Sequence, residues 1–269
     1  TGERRRTSPA NWAKVIKWDR DAAAAGERHR VFCASLADVF DNQADKTWRD
    51  LLWDLIRQTK NLDWLLLTKR PQNIAKMLPP DWRNGWPNVW LGTTVEKQDE
   101  ADRRIPHLLA VPAVVRFLSC EPLLGPVDLT KIDCVAIDPA SAGIHLNALT
   151  GGRKSDTPWH INWVIVGGES GPAARPMHPD WARSLLDQCQ AAGVAFHFKQ
   201  WGEWAPSTEE AASGNPHSGW KCLAGHPHVA KAHELYPENG AAFIERVGKA
   251  KAGRLLDGRE WNEFPKGAA

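Results

Sequence analysis

Six short apolar runs, each stopping in polar or glycine residues, constrain this chain more than any other feature. They read VFCASLAD (31–38), LDWLLLTKRP (62–71), VWLGTTVE (89–96), VVRFLSCEPLLG (114–125), WVIVGGESGPAAR (163–175) and VAFHFKQWG (194–202). Short apolar runs without polar alternation suit strands buried on both faces, as in parallel sheets. Most are separated by segments with apolar residues at helical spacing, of which Trp48, Leu51, Leu52, Leu55 and Ile56 are the clearest. This alternation predicts an α/β fold: a partial, open (β/α) TIM-like barrel of about six to seven parallel strands. In such folds the strand ends share one face, and ligands bind there.

The strand tips are therefore the candidate ligand-binding set. They supply Ser35 and Asp38, then Thr68, Lys69 and Arg70, then Thr94 and Glu96, then Glu121. The fifth run adds Gly167, Gly168, Glu169 and Ser170, with Arg175 beyond it, and the sixth adds Lys199 and Gln200. Lys69 and Arg70 suit a phosphate or carboxylate, or equally a neighbouring acid such as Glu96 or Glu121. Pro122 restricts Glu121 to extended backbone, so the turn aims its carboxylate as an orienting or ligand-binding group. The Gly167-Gly168 pair permits positive φ and close approach of backbone to a ligand.

Composition narrows the partners. At 269 residues and 42% hydrophobic, the chain can bury a sizeable core. We expect a barrel over residues 1–204 with an irregular insertion at 130–160, and a loop-rich C-terminal extension over 205–269 packing on it. Within that extension Arg254–Pro265 folds back over the barrel or its mouth. A net charge of +2 argues against a mainly electrostatic nucleic-acid coat but leaves room for a local patch, such as Arg4, Arg5 and Arg6. Cysteines 33, 120, 134, 189 and 222 form no metal or disulfide spacing, and His145 and His160 lack ligand-spaced partners. A cytoplasmic protein without a metal site in this chain is the expectation, and no apolar run is long enough for a membrane span. Fifteen tryptophans should mostly wedge helices onto the sheet, with base stacking left to any that are exposed. Ser8-Pro9 marks a helix start, with Trp12, Val15, Ile16 and Trp18 on one face.

The ordered motifs SLADVF, LLLTKRP, GTTVE, LSCEPLLG, VIVGGESGPAARPM and FKQWG resemble a phage-associated family of radical-SAM-like barrels of unknown function. The resemblance runs along nearly the whole chain. It implies a preceding strand with a CxxxCxxC loop, whose thiolates hold a [4Fe–4S] cluster that cleaves S-adenosylmethionine. This sequence has no such triplet, so either that segment lies upstream of the non-Met start or this member lacks it. With the segment present, the resemblance implies a radical S-adenosylmethionine enzyme acting on a nucleic acid or nucleotide. Without iron, the same tips fit a phosphate- or nucleotide-binding barrel, and a noncatalytic interaction protein is a third expectation. Substrate, reaction and oligomeric state are not set by these residues.

Overall fold

The computed structural model describes residues 4–33, 37–135, 139–141, 143–151, 159–207, 221–224 and 241–265. The apolar runs form the strands β1 (His29–Cys33), β2 (Leu62–Thr68), β3 (Val89–Thr94) and β4 (Val115–Cys120). A two-stranded ribbon, β5 (Ile132–Asp133) with β6 (His145–Leu146), precedes β7 (Trp163–Gly167) and β8 (Ala195–Gln200). Six of these make one parallel sheet in the order β1-β2-β3-β4-β7-β8, an open half-barrel whose neighbours in space follow the chain. Parallel pairing puts Thr68, Thr94, Cys120, Gly167 and Gln200 at one end of the sheet.

The helices are α1 (Pro9–Ala25), α2 (Lys46–Gln58), the short α3 (Ile74–Met77), α4 (Gln98–Leu109) and α5 (Pro179–Ala192). Asp45 caps α2 by accepting from the Thr47 N–H at 2.8 Å, and Gly193 ends α5 at φ +66°. Helix and sheet residues such as Ile56, Leu66, Leu91, Ile105, Val164 and Leu185 are fully buried in one large core. The opposite, concave face carries a smaller cluster of Leu65, Trp90, Val115, Phe117, Trp163 and Ile165. There Trp90 and Trp163 meet edge to face, 6.0 Å apart. Most of the described tryptophans are buried or half-buried in packing, with Trp18 and Trp159 exposed.

Several local expectations change. Only Val15 and Ala22 of α1 are buried; Trp12, Val15 and Trp18 turn toward one cleft, while Ile16 faces outward. On α4, whose sequence is rich in charges, Arg104 turns inward and is 9% exposed. Beyond Gly202, where mostly loops were expected, β9 (Trp204–Pro206), β10 (Lys221–Ala224) and β11 (Ala241–Arg246) form an antiparallel sheet in the order β10-β11-β9. In β11 only Ile244 is buried, so the segment lacks the alternation that marks a strand.

The C-terminal segment covers the floor, the end opposite the strand tips. Phe198 N–H donates to the Trp261 carbonyl at 2.9 Å and Glu263 N–H to the Phe196 carbonyl at 3.1 Å, so this segment runs antiparallel along β8. Phe264 lies 5.1 Å from the Trp163 ring, and the Arg30 guanidinium of β1 stacks 3.8 Å from the Phe264 ring. The same ring lies 6.0 Å from His197 of β8, so one side chain joins the first and last strands of the parallel sheet. Phe264→Ala should cost about 2 kcal/mol, less than a fully buried Phe because the ring is 38% exposed. Urea unfolding measures this, and an unchanged midpoint would mean that the floor holds without it.

Candidate functional site

A cleft of about 1530 Å3 opens at the strand tips and extends past the β1 edge to α1 and α2. Of the expected site residues it is lined by Asp38, Thr68, Lys69, Arg70, Thr94, Glu121, Gly168, Glu169, Ser170, Lys199 and Gln200. Glu96 and Arg175 stand just behind, pairing with Lys69 and Glu169, and Gly167 packs against Glu121. Ser35 lies outside the described residues. The tips are therefore gathered at one mouth.

Their partners decide what each can do. Asp38 accepts from four donors: Thr68 Oγ1 at 2.7 Å, Phe40 N at 2.9 Å, Lys69 N at 3.1 Å and Arg70 Nη1 at 3.0 Å. With its acceptor capacity filled, Asp38 ties β1 to β2 and organises the mouth. Arg70 also approaches Asp41 at 3.8 Å, so its acids are Asp38 and Asp41, not the expected Glu96 or Glu121. Lys69 does pair with Glu96, whose other oxygen takes Arg104 Nη1 at 2.5 Å. Arg104 further donates to the Thr94 carbonyl at 2.9 Å. Burial alone would raise the Glu96 carboxyl, but Lys69 and Arg104 outweigh it and hold the group below the usual carboxylate range.

On the other side, Glu121 follows Ser119 and ends in a cis peptide to Pro122. It accepts from Ser119 Oγ at 3.3 Å and pairs with Lys199 at 3.1 Å. Glu169 takes a bidentate pair from Arg175, both contacts 2.8 Å, plus the Arg175 N–H at 2.7 Å. The Arg175 hydrogen bonds lower its carboxyl. The two glycines serve packing between protein groups. A Cβ on Gly167 would sit 2.5 Å from Glu121 Oε1, and one on Gly168 only 1.8 Å from the Trp201 carbonyl oxygen. Backbone bonds lace the tips together: Val95 N–H to Ser119 O at 2.9 Å, Leu123 N–H to Gly167 O at 3.0 Å, Gly168 N–H to Gln200 O at 2.9 Å.

A family model described as protein of unknown function (DUF5131) matches residues 1–265. The chain belongs to the DUF5131 family. No curated protein and no solved structure matches it. For this DUF5131 protein the half-barrel and its mouth therefore carry the functional argument.

Sequence reasoning missed Asp41, which lines the mouth, and Arg104, which stands behind it on Glu96. Arg104 had a usable signal, since it stands on α4 between the buried Ala101 and Leu108. Asp41 joins Arg4 at 3.0 Å across 37 residues, which no local pattern announces. Among the described residues of this DUF5131 chain, no three His, Cys, Asp or Glu side chains are placed to hold a metal ion, and no helix is long and apolar enough to cross a membrane.

Proposed function

We propose that the mouth of the half-barrel binds S-adenosylmethionine by its amino-acid end. One observation carries this reading: the cleft-lining tips present Lys69, Arg70 and Lys199 beside Asp38, Glu121 and Glu169. A ligand bearing both an ammonium and a carboxylate matches such a balanced mouth group for group, whereas a phosphate would meet as many carboxylates as cations. Glu121 and Lys199 are the best placed, because each keeps unspent hydrogen-bonding capacity while Asp38 and Glu169 are largely committed. Glu121 would take the ammonium, and Lys199 with Lys69 the carboxylate. When bound, S-adenosylmethionine supplies a sulfonium-activated carbon, and the chain's part is to fix the amino-acid end.

The described residues do not fit an iron–sulfur cluster. Among the described residues Cys33 is the one cysteine that lines the cleft, and no three Cys, His, Asp or Glu side chains are placed to hold a metal ion, whereas a cluster needs three closely spaced thiolates.

Isothermal titration tests the reading with S-adenosylmethionine and inorganic phosphate as separate probes. S-adenosylmethionine should bind, and at about 100 times its Kd it should stabilise the fold by about 2.7 kcal/mol. Glu121→Gln should weaken it about tenfold, the loss of one charge-assisted contact. Binding of phosphate with no response to S-adenosylmethionine would replace this reading with the phosphate-binding barrel.

A further inference from the structure

The cleft is larger than one small ligand needs. Sites for such ligands enclose about 300–1,000 Å3, and this one reaches about 1530 Å3 because it continues from the tips along α1, β1 and α2. That outer wall differs in chemistry from the mouth. Trp18 and Phe32 line it while 43% and 42% exposed, and the partly exposed Trp12 and Trp48 stand among them. Arginine is interleaved: the Arg6 guanidinium lies 4.6 Å from the Trp12 ring centre, and Arg49 lines the cleft from α2.

Two donors on this wall, Trp12 Nε1 and Arg49 Nη1, are buried and meet no acceptor among the described residues. Buried donors without acceptors are costly, so their persistence in a cleft wall points to an acceptor that arrives with a ligand. Arg49 is partly exposed, which lets its guanidinium turn toward a bound anion. The nearby acids are already engaged. Asp41 accepts from Arg4 at 3.0 Å and Gln43 N at 2.9 Å, and Asp45 from Thr47 N and Oγ1, both at 2.8 Å.

We infer that this wall binds single-stranded nucleic acid, with unstacked bases laid on Trp18 and Phe32 and a backbone phosphate met by Arg49. Exposed aromatic faces interleaved with arginine are the combination that holds single strands without reading sequence, and a duplex hides the base faces they need. The inference goes beyond S-adenosylmethionine binding at the tips, and the two stand or fall separately.

Fluorescence anisotropy with a labelled oligodeoxythymidylate tests it, with the same length of duplex as the contrast. The single strand should bind, more weakly as salt rises, and more tightly than the duplex. Trp18→Ala and Arg49→Gln should each weaken it about tenfold, with the melting temperature and the S-adenosylmethionine titration unchanged. Trp18 is exposed, so its variant keeps the test open should Arg49→Gln fold poorly. No binding of the single strand, equal binding of the duplex, or full binding by Trp18→Ala would overturn the inference.

Discussion

Gly168→Ala is expected to cost about 3 kcal/mol, a fall of about 10 °C in melting temperature, and to abolish ligand binding at the mouth. The added methyl would lie 1.8 Å from the Trp201 carbonyl oxygen and 2.6 Å from its carbon, so backbone itself must move. That backbone is pinned. Trp201 is 5% exposed, packs 4.9 Å from the Phe198 ring, and donates its indole N–H to the Leu255 carbonyl at 2.8 Å. Nor can the other side yield, because Gly202 sits at φ +84° with its own missing Cβ 2.1 Å from the Glu169 carbonyl oxygen. Displacing either loop shifts Glu169 and the end of β8, where Lys199 stands. Gly125→Ala is the control: its Cβ would meet only Lys97 Cβ, at 3.2 Å. Equal melting temperatures for the two variants would show that the close approach at Gly168 carries no strain.

The half-barrel and its mouth were legible because burial on both faces writes an unambiguous signal. Leu62–Leu66, Val89–Leu91 and Val164–Val166 are buried almost without a break, and the first polar residue after each run marks where the sheet ends. Parallel topology then brings Thr68, Glu121 and Lys199 together although they are far apart in sequence. Which charge meets which was legible only in part: Glu96 was among the acids expected for Lys69, but Asp38 and Asp41 were not expected for Arg70. Arg70 and Lys69 are adjacent, yet one turns back to Asp38 and the other across to Glu96, a choice set by the turn at Pro71 and by the next strand. The glycines at 167 and 168 were visible as a site signal, but the group they admit is the neighbouring strand's own chain. That Arg254–Pro265 folds back over the barrel was expected; its place at the floor rather than the mouth was not legible. Arg254–Pro265 has no run of its own and takes its course from the free edge of β8, which only the folded sheet supplies.

Glu96→Gln should destabilise the protein by about 3 kcal/mol at neutral pH, the range for breaking a paired charge in a mostly buried setting. Glu96 and Arg104 are 13% and 11% exposed as side chains, so removing the carboxylate leaves a cation with little water to replace it. The Thr94 contacts of Arg104 at 2.9 and 3.0 Å remain but carry no charge, and Arg104 Nε already has no acceptor among the described residues. Lys69, 56% exposed, contributes much less to stability because solvent screens it. The pH dependence identifies the charge as the cause. Lys69 and Arg104 hold the folded Glu96 carboxyl below its unfolded value, so its contribution is complete above the ordinary carboxylate range and disappears as pH falls through the lowered value. The gap between the native protein and Glu96→Gln, read from urea midpoints, should therefore be widest near neutrality and shrink in acid. At the same time Lys69 loses its anchor behind the mouth, and S-adenosylmethionine binding should weaken with it. A gap that stays constant from neutral to acidic pH would assign the loss to packing rather than to the Lys69–Glu96–Arg104 network, and would remove the reason for expecting the mouth to respond.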